Sequence, residues 1–161
     1  MGISLVRVDD RVIHGQVVTL WTKVRPCHGI VVIDDLIAKD EFRCKVLKAA
    51  APKGTKVGIY TIEEGLEKIR LAKGAKNDYF IISNSPQNFA KLVELGADFG
   101  KELNIGPMNV REGTKTIGKS ISIDDNDRDA FDYLVDKGIN VTFQIIPTER
   151  AVPWREVREK Y

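Results

Sequence analysis

Along the whole chain, short β-branched apolar runs alternate with segments of helical period. This alternation constrains the fold more than any other feature. Residues 3–9 and 30–33 are runs rich in Ile, Leu and Val, the second of the kind buried on both faces of a sheet. Between them Val17, Leu20, Trp21 and Val24 recur at helical spacing, which predicts a helix over 15–24 stopped by Pro26. Phe42, Val46, Leu47 and Ala50 mark a second helix, ended by Pro52 and Gly54. A third strand is predicted over 56–60. Thr61 and Glu64 have capping-box spacing, and Ile62, Leu66, Ile69 and Leu71 continue a helix with Gly74 at its end. A fourth strand over 79–82 leads to Ser85 and Pro86, an N-cap and first-turn pair. Phe89, Leu92, Val93 and Leu95 form the helix that follows, closed by Gly96. The stretch 102–122 is more broken, with a short strand at 103–105 and then a hairpin. Residues 124–137 are again helical with Phe131, Leu134 and Val135 inward, 139–146 form a last strand, and Pro153 opens a short helix with Trp154 and Val157 as its apolar contacts.

Strands separated by helices of this length imply parallel neighbours and right-handed crossovers. The predicted fold is therefore α/β, a single open, mostly parallel twisted sheet with helices on both faces. No repeat, low-complexity stretch or linker interrupts the 161 residues, so 1–161 is expected to form a single domain. Ligand sites in such sheets lie at the carboxyl ends of the strands, in the loops that lead into helices.

Lysine and arginine number 25 against 23 acidic residues, a formal net charge of +2. So slight a balance predicts no general nucleic-acid partner and no polybasic membrane anchor. The longest aliphatic run, Ile30 to Ile33, falls far short of the ~20 residues of a membrane span. The N-terminus has no basic stretch followed by a long apolar one, so no signal peptide is expected. Cys27 and Cys44 make no C-x-x-C pair and are expected as free thiols of a cytosolic chain, with Cys44 packing as a small hydrophobe.

The loop after the first strand is the richest in chemistry. It reads Asp9, Asp10, Arg11, Val12, Ile13, His14, Gly15, Gln16, and it stands directly before a helix. A helix N-terminus offers unpaired N–H groups and partial positive charge, which favour a bound phosphate. Gly15 lets the backbone approach closely, and Arg11 can grip phosphate oxygens with a planar fork. His14, with a reference pKa of ~6.5, is a nitrogen nucleophile at cytosolic pH, and an Asp can hold its tautomer or fix Arg11. These parts suit phosphoryl transfer through a covalent phosphohistidine. No metal-ligand set is apparent, and the chemistry requires neither metal nor cofactor if Arg11 and backbone amides neutralise the charge.

From Val6 to Trp21, Val-Arg-Val-Asp-Asp-Arg-Val-Ile-His-Gly-Gln-Val-Val-Thr-Leu-Trp resembles the opening signature of the enzyme IIB component of the mannose/fructose/sorbose family of the bacterial phosphoenolpyruvate-dependent sugar phosphotransferase system. Residues 104–109, Asn-Ile-Gly-Pro-Met-Asn, resemble a second family segment, with Pro107 where a further glycine is frequent. Residues 143–147, Phe-Gln-Ile-Ile-Pro, resemble a third. The resemblance covers essentially the whole chain. It implies a phosphocarrier enzyme, a protein-N(pi)-phosphohistidine–sugar phosphotransferase, that accepts a phosphoryl group from a phosphohistidine on a IIA partner. The group then passes to a sugar imported by membrane IIC and IID partners. The acceptor matches His14, the loop arginine Arg11 and the loop aspartate Asp9. Gly15 and Gln16 are expected to help bind phosphate, with Asp10, Asn104 and Asn109 in support. The donor IIA is expected as a separate chain. The protein is expected in the cytoplasm, held to the inner face of the membrane through IIC and IID without inserting itself. Docking two partners in turn calls for an exposed His14 on a fairly flat surface, with Val12 or Ile13 as apolar neighbours.

Residues 113–120, Gly-Thr-Lys-Thr-Ile-Gly-Lys-Ser, match the phosphate-binding pattern G-x-x-x-x-G-K-[ST] and supply the alternative, a nucleotide-responsive or regulatory binding domain using Lys119. That motif must leave a buried strand and open a helix. Here the flanks are Asn109-Val-Arg-Glu before it and the alternating Ile121-Ser-Ile123 after it, so Gly118 and Lys119 read as a hairpin turn. No G-x-G-x-x-G follows the first strand, and the third strand ends without the Asp that a response-regulator receiver needs. His28 is placed in a loop near the opposite edge of the sheet, and Trp21 and Trp154 are placed in the packing rather than as sugar platforms.

Overall fold

The computed structural model describes residues 2–161. In chain order the elements are β1 Ile3–Val8, α1 Gly15–Thr22, β2 Gly29–Ile33, α2 Asp35–Ala38, α3 Glu41–Ala50, β3 Lys56–Tyr60, α4 Ile62–Lys73 and β4 Tyr79–Ser83. They continue with α5 Pro86–Glu94, β5 Glu102–Ile105, β6 Lys115–Gly118, β7 Ile121–Ile123, α6 Asp125–Asp136, β8 Asn140–Phe143, β9 Val152–Pro153 and α7 Trp154–Arg158. Seven strands form one sheet in the order β3-β2-β4-β1-β5-β8-β9, and β6 and β7 form a separate antiparallel hairpin. Every pair in the main sheet is parallel except β8 with β9. This is the predicted open, mostly parallel α/β sheet.

Alternating residues of the strands feed two cores, one on each face. Leu5, Ile30, Val32, Phe80 and Ile82 pack with Val18 and Trp21 of α1, Ile37 of α2 and Leu47 of α3. Val6, Val8, Val31, Ile33 and Ile81 pack on the other face with Ile69, Phe89, Phe131 and Trp154 from α4, α5, α6 and α7. The period-two alternation of a strand makes this division, since neighbouring side chains point to opposite faces. The loop after β1 therefore lies at a switch point. Its helix goes to one face while the helices after the neighbouring β4 and the flanking β5 go to the other, an arrangement that opens a crevice at the carboxyl edge.

The helix starts follow local chemistry. Thr61 and Glu64 form the expected capping box, and Ser85 accepts from Asn88 N–H with Pro86 in the first turn. Asp124 and Asp127 form a second capping box that opens α6. Elsewhere the structure differs from the sequence pattern. The last strand is only Asn140–Phe143; the chain then turns, with Gln144 Nε2 donating to the carbonyls of Pro147 and Glu149, and returns as β9. Helix α1 stops at Thr22 and leaves Val24 exposed. Val135 is exposed because the buried stripe of α6 runs through Asp127, Ala130, Phe131 and Leu134, with Val135 at its margin. The short helix α2, capped by Asp34, was not predicted. Its Ile37 fills the core under α3, so Leu47 is the buried residue of that helix while Phe42 and Val46 face outward.

Candidate functional site

The site grows from the end of β1. A parallel register sets Arg7 beside Asn104 of β5, and backbone N–H groups tie the three neighbouring strand ends together. Asp9 N–H donates to Ser83 O at 2.9 Å, and Gly106 N–H donates to Val8 O at 2.7 Å. Asp10 N–H donates to Pro107 O at 3.2 Å, so Pro107 serves through its carbonyl where it has no N–H to give. The loops after β1, β4 and β5 thus meet at one edge.

Under them lies a side chain the sequence reading did not single out. Arg7, 2% exposed, shares a face with Leu5 and places its guanidinium 5.3 Å from the ring centre of Trp21. All five of its N–H groups are used. Nε and Nη2 donate to Asp9 Oδ2 at 3.4 and 3.2 Å, Nη1 to Asn104 Oδ1 and to Gln144 O, and Nη2 to Ile145 O at 3.0 Å. Trp21 Nε1 donates to the same Ile145 carbonyl. Burial lowers the pKa of Arg7 and raises that of Asp9, with each partner's charge opposing the shift. The signal was in the sequence: a lone arginine inside the apolar run Ile-Ser-Leu-Val-Arg-Val, a residue type almost never buried unless paired.

Asp9, also 2% exposed, is an anchor below the loop. It holds Arg7 with one oxygen and accepts Arg11 N–H with the other at 3.0 Å. Asp9 therefore fixes the backbone of Arg11 and leaves the exposed Arg11 side chain to project freely. Val12 N–H donates to Asp9 O at 2.9 Å, closing a tight turn, and Val12 takes φ of 61°, a left-handed conformation that is rare for a β-branched residue. Val12 and Ile13 are buried in the core with Val18 and Trp21. This corrects the expectation that they offer an apolar docking surface: their burial is what holds the strained turn.

His14 follows as the N-cap of α1, extended in backbone and half-buried, and its ring does not cap the helix. The first intrahelical bond is Val18 N–H to His14 O, so the amides of Gly15, Gln16 and Val17 are the unpaired donors of the helix start. Gln16 is exposed. Asp10 Oδ2 accepts Asn109 N–H at 2.5 Å and pins the loop after β5 to the loop after β1, while Oδ1 is buried with no partner among the described residues. Asn104 lies beneath with Arg7, and the exposed Asn109 lies at the rim.

The other candidates fall elsewhere. Residues 113–120 run through β6 into a turn with Ser120 at φ of 57°, and Met108 pairs with Ile121 of β7. No helix starts there, so the nucleotide-binding alternative loses its structural basis. Lys119 instead borders a cavity of about 260 Å³ lined by Ile105, Ile117, Phe143 and Val157. His28 sits at the amino end of β2, edge-on to Tyr79. Both tryptophans are buried. Cys27 and Cys44 are free, and burial pushes the Cys27 thiol up to about 11.

An imidazole and a guanidinium beside unpaired amides, on the carboxyl edge of a doubly wound sheet, make a site suited to receiving an anionic group. The chain belongs to the family of sorbose-subfamily IIB components of the sugar phosphotransferase system, whose description matches residues 3–161; IIB components are sugar phosphotransferases. It is 35% identical over 149 residues to the sorbose-specific EIIB component of Lacticaseibacillus casei, covering 92% of this chain and 90% of that one. It is 32% identical over 160 residues to the mannose-specific EIIAB component of Escherichia coli K12, covering 99% of this chain and 49% of that protein. The crystal structure of the IIBSor domain of the sorbose permease from Klebsiella pneumoniae superimposes with a TM-score of 0.91 at 31% identity, covering 99% and 98% of the two chains. In this family IIB domains partner with IIA, IIC and IID components. Among the described residues no helix is long and apolar enough to cross a membrane.

Proposed function

We propose that His14 is the phosphoryl acceptor and that residues 1–161 act as one IIB domain. A ring nitrogen of neutral His14 attacks the phosphorus of a donor phosphohistidine on IIA in line. The new N–P bond forms as the donor N–P bond breaks, and the donor imidazole leaves with its electron pair. In the second half, a sugar hydroxyl at the IIC and IID components attacks the same phosphorus as the His14 N–P bond breaks; the imidazole leaves with its electron pair, and the hydroxyl proton passes to solvent. Arg11 and the amides of Gly15 and Gln16 balance the charge on the equatorial oxygens, which is where most of the catalysis of such a transfer lies. Asp9, Asp10, Asn104 and Asn109 hold the loops. The protein works at the cytoplasmic face of the membrane through those partners. The mannose relative, named an EIIAB component, supports a IIA donor.

The placement of His14 carries the reading. It occupies the N-cap position of α1 at the switch point, half-buried, in the same loop as the exposed Arg11. Incubation with phosphoenolpyruvate, the two general phosphotransferase proteins and a cognate IIA is expected to label one acid-labile site, absent in His14→Ala. Label that survives His14→Ala sinks the assignment.

A further inference from the structure

The helix pair α2 and α3 turns apolar side chains to solvent. Leu36 is 77% exposed, Phe42 75% and Val46 50%. On α3 the outward face runs Phe42, Lys45, Val46, Ala49, at i, i+3, i+4 and i+7, opposite the buried Leu47. Around this ridge stand Lys39, Arg43, Lys45, Lys48 and Lys53, all exposed and none in an ion pair among the described residues. The acids of the same stretch are the exposed Asp35, whose carboxylate accepts Ile62 N–H at 2.8 Å, Asp40, whose carboxylate accepts Arg43 N–H at 3.1 Å, and Glu41 in the first turn of α3. Five cations against three acids leave residues 35–53 with a net charge of +2, so an excess equal to that of the whole chain is gathered in this one segment.

From this face we infer a docking surface for an anionic lipid bilayer. The ridge carries one highly exposed aromatic, Phe42, among long flexible amines. Four of the five cations are lysines, compact point charges on mobile stems, rather than the planar forks that match fixed carboxylates of a protein partner. Such stems reach headgroup phosphates while their methylenes and the Phe42 ring lie against acyl chains. A deformable anionic surface accommodates that shape without a complementary groove. The end of α3 also abuts the proposed transfer loop: a Cβ built on Gly15 would stand 3.1 Å from Ala50 O. A bilayer under α3 thus lies beside the start of α1. The inference does not depend on His14 being the acceptor.

Co-sedimentation of the full chain with vesicles tests it. Binding is expected to phosphatidylcholine vesicles enriched in phosphatidylglycerol, to fall steeply with added salt, and to be absent with phosphatidylcholine alone. Lys45→Ala with Lys48→Ala, both exposed helix positions, is expected to weaken binding roughly twenty-five-fold, each lysine being worth about a factor of five at such a surface. Phe42→Ala is expected to weaken it roughly tenfold. Leu71→Ala, an exposed apolar position on α4 across the sheet, and His14→Ala are expected to bind as the parent does. Failure to sediment with anionic vesicles at low salt overturns the inference. So does a loss in the α3 variants no larger than in Leu71→Ala. If vesicles are ignored while the α3 variants slow phosphoryl receipt from IIA, the face belongs to a protein partner instead.

Discussion

Arg7 and Asp9 flank Val8 at the end of the first strand, and both Nε and Nη2 of the arginine bond the same carboxylate oxygen, at 3.4 and 3.2 Å. With Asn104 and the carbonyls of Gln144 and Ile145 on its remaining donors, Arg7 fastens the loop after β1, strand β5 and the loop after β8 to one point. A fully bonded buried ion pair adds little net stability over an apolar substitute, but losing one member is costly.

Arg7→Met is therefore expected to cost about 3–5 kcal/mol by leaving the Asp9 carboxylate buried and unpaired. Adding Asp9→Asn is expected to recover part of that loss. Urea unfolding of the two single variants and the double variant measures the coupling; strictly additive losses would show that the two side chains do not act as a pair.

The acids should give opposite pH signs. Burial raises the Asp9 carboxyl above its ordinary range despite Arg7. A carboxyl raised by folding contributes most below about pH 4, and that contribution is lost as pH climbs through the raised value. Arg158, and to a lesser degree Trp154, hold Asp132 below the ordinary range. Its contribution is present above about pH 4 and lost as pH falls through the lowered value. The advantage of the parent over Asp132→Asn should therefore grow with pH, and its advantage over Asp9→Asn should shrink. Urea midpoints from about pH 3 to pH 7 check this, and slopes of the same sign refute it.

Gly106 is the backbone on which Arg7 rests. A methyl added there would overlap the guanidinium, which its hydrogen bonds prevent from moving aside. Gly106→Ala is expected to cost about 1–3 kcal/mol and to slow phosphoryl receipt by displacing the loops around His14. Thermal melting and a single-turnover transfer assay read the two effects; unchanged values in both would show that the contact relaxes freely.

Because residues 113–120 form a hairpin arm and turn, Lys119→Ala is expected to change stability by no more than about 0.5 kcal/mol, and neither protein is expected to bind ATP. Calorimetric titration with ATP, with and without magnesium, decides the point. Heat of binding lost on the substitution would restore the nucleotide reading.

The sequence by itself determined the order of the elements apart from α2 and β9, the parallel sheet and the loop bearing Arg11 and His14. These depend on local signals, namely apolar runs, helical spacing, and caps such as Thr61 with Glu64. Tertiary structure alone decided what those residues meet. Arg7 became a hub only when β5 came alongside β1 and β8 alongside β5, because all its partners but Asp9 lie 97 to 138 positions away. Phe42 and Val135 face outward because Ile37 and Leu47, and Phe131 and Leu134, take the buried positions beside them: helical period states which residues share a face and packing chooses which face is buried. The last strand was cut short at Phe143 for the same kind of reason: the carbonyls of Gln144 and Ile145 found a better donor in a buried guanidinium than in a strand ladder.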